Sequence, residues 1–197
     1  MVKIMEKNNI KKLNLGCGER KKAGFINIDW NKETKPDILH DLNIFPYPFE
    51  DNYFDLIEAS HILEHLDKPF LVMKELHRLL KPNGILIIKV PHFSRGFTHA
   101  EHTHGFDVTF PLYFNKNFTI SGYVGVEFKI VKLELHWLAF QRLLPAMGYR
   151  KITILFLNFI NKIISFLANL NVNFCSRIWC YWVGGFDEIE FKFSCLK

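Results

Sequence analysis

The chain has 197 residues, 49% of them hydrophobic and 23% charged, which is enough for one substantial core and short of what two domains need. Its four cysteines, Cys17, Cys175, Cys180 and Cys195, show no Cys-x-x-Cys spacing, so neither a zinc site nor a disulfide framework is indicated and a reducing compartment is expected. The net charge of +5 is not clustered as in a nucleic-acid binder: between Glu134 and Asp187 there is no acidic residue, and Arg142, Arg150, Lys151, Lys162 and Arg177 are diluted among Phe, Ile and Leu.

The opening "MVKIMEKNNIKK" has scattered charges and no apolar h-region, so it does not read as a secretory signal, and a cytoplasmic protein is expected. Short apolar runs follow, reading as strands: "KLNLGC", "FINIDW", "DILHDL", "YFDLIEAS" and "ILIIKVP". Between the last two, "DKPFLVMKELHRLLKPNG" has helical spacing, with Asp67 as the cap, Pro69 in the first turn and Pro82-Asn83-Gly84 as the stop. Such alternation predicts an α/β fold, a parallel sheet covered by helices, which binds ligands outside the carboxyl ends of its strands.

Gly16-Cys17-Gly18 falls at such an end. A dinucleotide fingerprint would need a third glycine where Lys21 stands, and no Gly-Lys-Ser/Thr follows for a phosphate loop. What survives is a ligand with an adenosine and no phosphate: Asp29 ends the second strand, where a carboxylate can accept ribose hydroxyls, and Asp41-Leu42 ends the third. The alternative is that Asp29 and Asp41 only shape turns, where Asp is favoured.

The motifs "LNLGCG", "INID", "HDL", "FPYPFEDNYFDLIEASHILEHL" and "ELHRLLKPNGILIIKVP", in this order from about Lys12 to Pro91, resemble those of the class I S-adenosylmethionine-dependent methyltransferases, in particular the methyltransferase type 11 family and its small members found among bacterial surface-polysaccharide genes. The resemblance implies a Rossmann-like sheet, mostly parallel with an antiparallel last strand, and S-adenosylmethionine as cofactor. It implies that Leu15, Gly16, Cys17 and Gly18 pass under the methionine part, that Asp29 holds the ribose, that Asp41 and Leu42 contact adenine, and that Ser60 and His61 border the transfer cleft. The connection from Gly18 to Asp29 is shorter than the family's commoner form.

A sulfonium is already activated, so such an enzyme needs alignment and, for a hydroxyl acceptor, a base. Histidines are the candidates: His61, and in "PHFSRGFTHAEHTHGFDVTF" His92 and His104, which the resemblance also singles out, within a substrate loop over 92–122. His99, His102 and His104 have a ligand-like spacing, but a loop without a supporting strand or helix makes a poor cage, and no metal is expected. The competing reading is a set of hydrated loop histidines.

Two more strands, "YVGVEFKIVKLELHW" and "DEIEFKFSCL", flank a helical cap over 139–183 in a single domain of 1–197. Within the cap, residues 151–170 put Asn158, Asn161, Lys162, Ser165 and Asn169 on one helical face and Ile154, Leu155, Ile160, Ile163, Ile164 and Leu167 on the other. Three readings of that helix stand: a lid over the cofactor cleft, a peripheral contact with the inner face of a membrane, and a homodimer interface. The acceptor expected from the resemblance is an oxygen on a saccharide or a lipid-linked glycan. The alternatives are a quinone-type small-molecule acceptor and a non-catalytic adenosyl-ligand module at a membrane-associated complex.

Overall fold

The computed structural model describes residues 10–96, 98–118 and 122–197; the amino-terminal 1–9 and, within the 92–122 loop, positions 97 and 119–121 lie outside it. Seven strands form one sheet: β1 (Lys12–Leu15), β2 (Ile26–Asp29), β3 (Ile38–Leu39), β4 (Phe54–Ser60), β5 (Leu80–Pro91), β6 (Glu127–His136) and β7 (Glu188–Leu196). Their order is β3-β2-β1-β4-β5-β7-β6, with β1 to β5 mutually parallel and β7 antiparallel to both of its neighbours. The expected mostly parallel sheet with its reversed last strand is what forms.

The period-two pattern explains which face is covered. Leu13, Leu15, Ile57, Ala59, Leu86 and Ile88 are buried, as are Ile189, Phe191 and Phe193 of β7. The helix α1 (Pro69–Leu79) packs there through Val72, Met73, Leu76 and Leu79, all buried. The alternate positions carry charge: Lys22 pairs with Glu58, Lys89 with Glu190 at 2.8 Å, and Lys132 with Glu134 at 2.7 Å. A parallel sheet covered on both faces would read as unbroken apolar strands. This one alternates, and among the described residues no helix follows β1, where the connection is too short to hold one.

One local expectation changes. Asp67 does not cap α1; Lys68 takes the N-cap position without a side-chain hydrogen bond, and Pro69 opens the helix. Phe70 faces outward from α1 and packs against Phe110 and Tyr113.

Past β5 lies the short helix α2 (Phe93–Gly96), and between β6 and β7 lie α3 (Lys151–Leu170) and α4 (Val172–Arg177). The helix α3 docks on the end of β6 through its polar side. Asn169 receives the Leu135 N–H at 2.9 Å and donates to the Leu135 carbonyl at 2.9 Å; Ser165 Oγ receives the Trp137 N–H at 3.2 Å; Asn161 receives the Leu138 N–H at 3.0 Å. These side chains continue the hydrogen bonding of an edge strand where its pairing stops. Of the face expected to be apolar, Leu155, Ile163 and Leu167 turn away from the protein, whereas Ile154, Ile160 and Ile164 are half-buried and Ile164 packs against the core.

Candidate active site

The carboxyl ends of β1, β2 and β4 meet where the strand order reverses, and the two glycines of the first turn are needed there for different reasons. Gly16 has φ +65°, and a Cβ on it would lie 2.5 Å from the Ile62 side chain. Gly18, at φ +47°, faces open space, and its N–H donates to Asp29 Oδ2 at 2.7 Å. Asp29 is buried, and its other oxygen receives the Asn31 N–H at 2.9 Å. Its carboxylate therefore shapes the glycine turn as well as facing the ligand end, and each oxygen retains capacity for a further donor.

The missing first helix is replaced by a pair of inward asparagines in register, Asn14 and Asn27. Asn14 Nδ2 donates to Asn27 Oδ1 at 2.9 Å and to the Arg20 carbonyl at 3.0 Å, while the Lys22 N–H donates to Asn27 Oδ1 at 2.8 Å. Beside Asp29, Trp30 is 68% exposed at the strand end, a flat apolar surface that the sequence reading did not single out. The His40 N–H donates to the Asp29 carbonyl, so Asp41 and Leu42 follow next to that end. Asp41 is exposed, whereas Leu42 is buried with its carbonyl held by the Tyr47 hydroxyl at 2.9 Å.

Ser60 ends β4 and, with the glycine turn, Arg20 and His61, borders a cleft of about 1050 Å³. His61 stands in the left-handed region at φ +54°, an unfavourable backbone state for a side chain of this kind. Its Nε2 lies 2.7 Å from Glu188 Oε2 and its Nδ1 3.3 Å from Glu64 Oε1. Burial pulls its pKa down, but the hydrogen bonds and charges of Glu188 and Glu64 prevail and raise it to about 9. At neutral pH His61 is an imidazolium that donates from Nε2 to Glu188 and faces the Glu64 carboxylate with Nδ1, so the proton-accepting role expected of it is not open to it. Glu188, held low by His61 and Lys89 against the effect of burial, comes from the far end of the chain, and sequence spacing carried no sign of it.

The histidine loop is pinned to the protein. Thr103 donates from N and Oγ1 to the Glu64 carbonyl at 3.0 and 3.1 Å. This brings the ring of His102 to 4.7 Å from His65 and 4.9 Å from His99, centroid to centroid. Glu64, His65 and His102 each offer a ligand-type atom within 4.8 Å of the others, the arrangement a divalent ion would use, although Glu64 already serves His61. His102 Nδ1 is hydrogen-bonded to the Gly96 carbonyl. A carbonyl only accepts, so in the neutral ring Nδ1 carries the proton and Nε2 the lone pair.

His92 and His104 stand elsewhere. His92 is 0% exposed; Ser94 Oγ lies 2.7 Å from Nδ1 and Ser176 Oγ 2.8 Å from Nε2. Ser176 Oγ donates onward to Asp107 at 2.6 Å, so its oxygen receives the His92 Nε2 proton. Burial, with Asp107 opposing, lowers His92 to about 4 and keeps it neutral. It is a buried tie between α2 and α4, out of reach of an acceptor. His104 lines a separate cavity of about 480 Å³ with Pro69, Phe70 and Tyr113, away from the glycine turn.

Cys17 is buried, and desolvation with Asp29 pushes its thiol pKa up, which denies it thiolate chemistry. The far wall of the cleft is Arg95, held by Asp187 at 2.6 Å, together with Phe140, Arg142, Leu143 and Met147. The segment that closes over the cleft is thus 140–147, ahead of α3. The helix α3, for which a lid was one of three readings, lies at the sheet edge, with Asn161 reaching the adjoining space beside His61.

Residues 20–88 match the family model described as a methyltransferase domain. An uncharacterized methyltransferase of Schizosaccharomyces pombe is 38% identical over 47 residues, 24% of this chain and 17% of that protein. The ubiquinone/menaquinone biosynthesis C-methyltransferase UbiE of Neisseria meningitidis serogroup B is 34% identical over 59 residues, 30% of this chain and 23% of that one. The matches thus span less than a quarter of either curated relative's length. In fold, the crystal structure of a SAM-dependent methyltransferase from Archaeoglobus fulgidus superimposes with a TM-score of 0.57, covering 94% of this chain and 86% of that one at 19% identity. Sequence over 20–88 and fold over nearly the whole length point the same way: residues 20–88 are similar to a methyltransferase domain, and the sheet has the fold of a SAM-dependent methyltransferase.

Proposed function

We propose that this protein transfers a methyl group from S-adenosylmethionine to an oxygen of a polar acceptor of saccharide type. The residues present fit that cofactor: Gly18 leaves open space where a side chain would intrude, Asp29 has acceptor capacity left for hydroxyls, and Trp30 offers a flat surface beside it. Bound there, the cofactor supplies an activated methyl carbon that needs in-line approach and exclusion of water.

The observation that carries the acceptor reading is the set of charged groups at the cleft. Arg20, His61, Arg95 and Arg142 border it, a set suited to binding hydroxyls beside an apolar wall. His61, charged and flanked by two carboxylates, places a fixed positive charge at the cleft beside the acceptor oxygen. His102, with its lone pair on Nε2, takes the proton that a hydroxyl must lose.

A quinone-type acceptor is the second reading. The UbiE likeness and the presence of Phe140, Leu143 and Met147 in the cleft wall favour it.

The test begins with calorimetry of S-adenosylmethionine and S-adenosylhomocysteine on the purified chain, with Gly16→Val as control. Micromolar binding is expected, and its loss in the variant, because a side chain at Gly16 collides with Ile62 and strains the turn. Transfer of a labelled methyl group to polar glycan fractions supports the saccharide reading, and transfer to quinone precursors supports the second. Binding without transfer to either leaves a non-catalytic adenosyl-ligand module.

A further inference from the structure

We infer that the outward face of α3 is a docking surface for an anionic lipid bilayer, with the helix lying in the plane of the interface. In most surface helices the apolar stripe faces the core and the polar side faces water. Here the outward side is the one that carries the largest apolar side chains. Ile152, Leu155, Phe159, Ile163, Phe166 and Leu170 recur at spacings of three and four and are all exposed, Phe159 at 62% and Phe166 at 67%. The only fully buried residue of the helix is Ala168; its inner side joins the asparagine and serine bonds to the end of β6 with half-buried Ile154, Leu157 and Ile164. Large apolar stripes exposed to water are uncommon and mark a surface that something else covers.

Charge identifies the covering. Arg142, Arg150, Lys151 and Lys162 are exposed, and the next carboxylates along the chain in either direction are Glu134 and Asp187. Arg177, the remaining cation of this stretch, is paired with Asp107. Beyond α4, Tyr181 and Trp182 are exposed, Trp182 at 77%, residue types that settle at the headgroup level of a bilayer. A face that joins an apolar stripe to cations and interfacial aromatics is complementary to an anionic leaflet. A second copy of the chain would bring the same cations against one another in a two-fold contact. By length and composition α3 could also cross a membrane. Crossing would strip Asn161, Ser165 and Asn169 from the β6 backbone and place them in hydrocarbon, where unsatisfied polar groups are costly.

The docking has a consequence for the cleft. Arg142, Leu143 and Met147 line it and are also exposed, just ahead of Arg150 and Lys151 at the start of α3. A leaflet beneath α3 therefore lies beside the cleft mouth, and the acceptor class that follows is a polar group carried on a lipid. This last step rests on the methyl-transfer reading; the docking itself does not.

The test is flotation of the full chain with vesicles of phosphatidylcholine alone and of an equimolar mixture with phosphatidylglycerol. The chain is expected to float with the mixed vesicles, less so as salt is raised, and at least about tenfold less with phosphatidylcholine alone. Phe159→Glu with Phe166→Glu is expected to abolish flotation while circular dichroism is unchanged. Ile130→Glu with Val131→Glu, an equal charge change on exposed β6, is expected to leave it intact. A chain that stays off both vesicles and sediments as a dimer, made monomeric by the Phe159 and Phe166 changes, would overturn the proposal in favour of a contact between copies. Retention in carbonate-washed vesicles would overturn it in favour of a spanning helix. Flotation together with failure to transfer methyl groups to any acceptor would retire the functional reading and leave the docking standing.

Discussion

Four histidines in this molecule differ by what touches their nitrogens. His61 has a carboxylate at each nitrogen and is charged; His92 has a serine at each and is neutral and buried; His102 has one nitrogen fixed by a carbonyl and the other left to accept; His104 has a buried Nε2 without a hydrogen-bond partner. Only the third arrangement suits a base at the cleft. His102→Ala is expected to lower turnover by roughly 100-fold while cofactor affinity is unchanged, and His104→Ala to leave both near wild type. Steady-state kinetics paired with calorimetry checks this, and equal losses in the two variants would return the histidine loop to a structural role.

At the scale of elements, α3 is anchored by its polar face. Asn161 and Asn169 each both donate to and accept from one backbone residue at the end of β6. Replacing either by Leu leaves those N–H and carbonyl groups without partners, and a loss of about 1–3 kcal/mol is expected in urea denaturation. Phe159→Ser, on the outer face, is expected to change stability by no more than about 0.5 kcal/mol in lipid-free buffer. This ranking inverts the usual one for apolar and polar helix positions. A larger loss at Phe159 than at Asn161 would mean that the helix packs the other way round.

For the whole molecule, His92 and His61 shape the pH dependence of stability from opposite sides. An unfolded histidine titrates near 6.5, and His92 in the fold near 4. Between those values the unfolded chain binds the extra proton, so the contribution of His92 is complete above pH 6.5 and is lost as pH falls towards 4, by on the order of 3 kcal/mol in all. His61 titrates near 9 in the fold, so its contribution is complete below 6.5 and is lost by a similar amount as pH rises through 9. Together they predict a stability maximum near 6.5. Denaturation midpoints across the range test it: His92→Gln should flatten the acidic arm and His61→Gln the alkaline one.

Local chemistry made much of this readable in the amino-acid order. The strands announce themselves by β-branched and aromatic runs, α1 by its period and its proline, and the ligand end by Gly16, Gly18 and Asp29, because each depends on neighbours a few residues away. That α3 is amphipathic was legible as well, but its division was not: Leu155, Ile163 and Leu167 of the expected apolar face are exposed, whereas Ile154, Ile160 and Ile164 are half-buried, because the end of β6 draws Asn161 and Ser165 inward together with the apolar residues beside them. The same holds for the site. Glu188 and His61 are 127 positions apart, and the charge on that imidazole arises only when antiparallel β7 lays Glu188 against the end of β5. Sequence spacing determined the scaffold because its contacts are local; the protonation of the cleft and the outward turn of α3 were decided by long-range pairing, which no local pattern encodes.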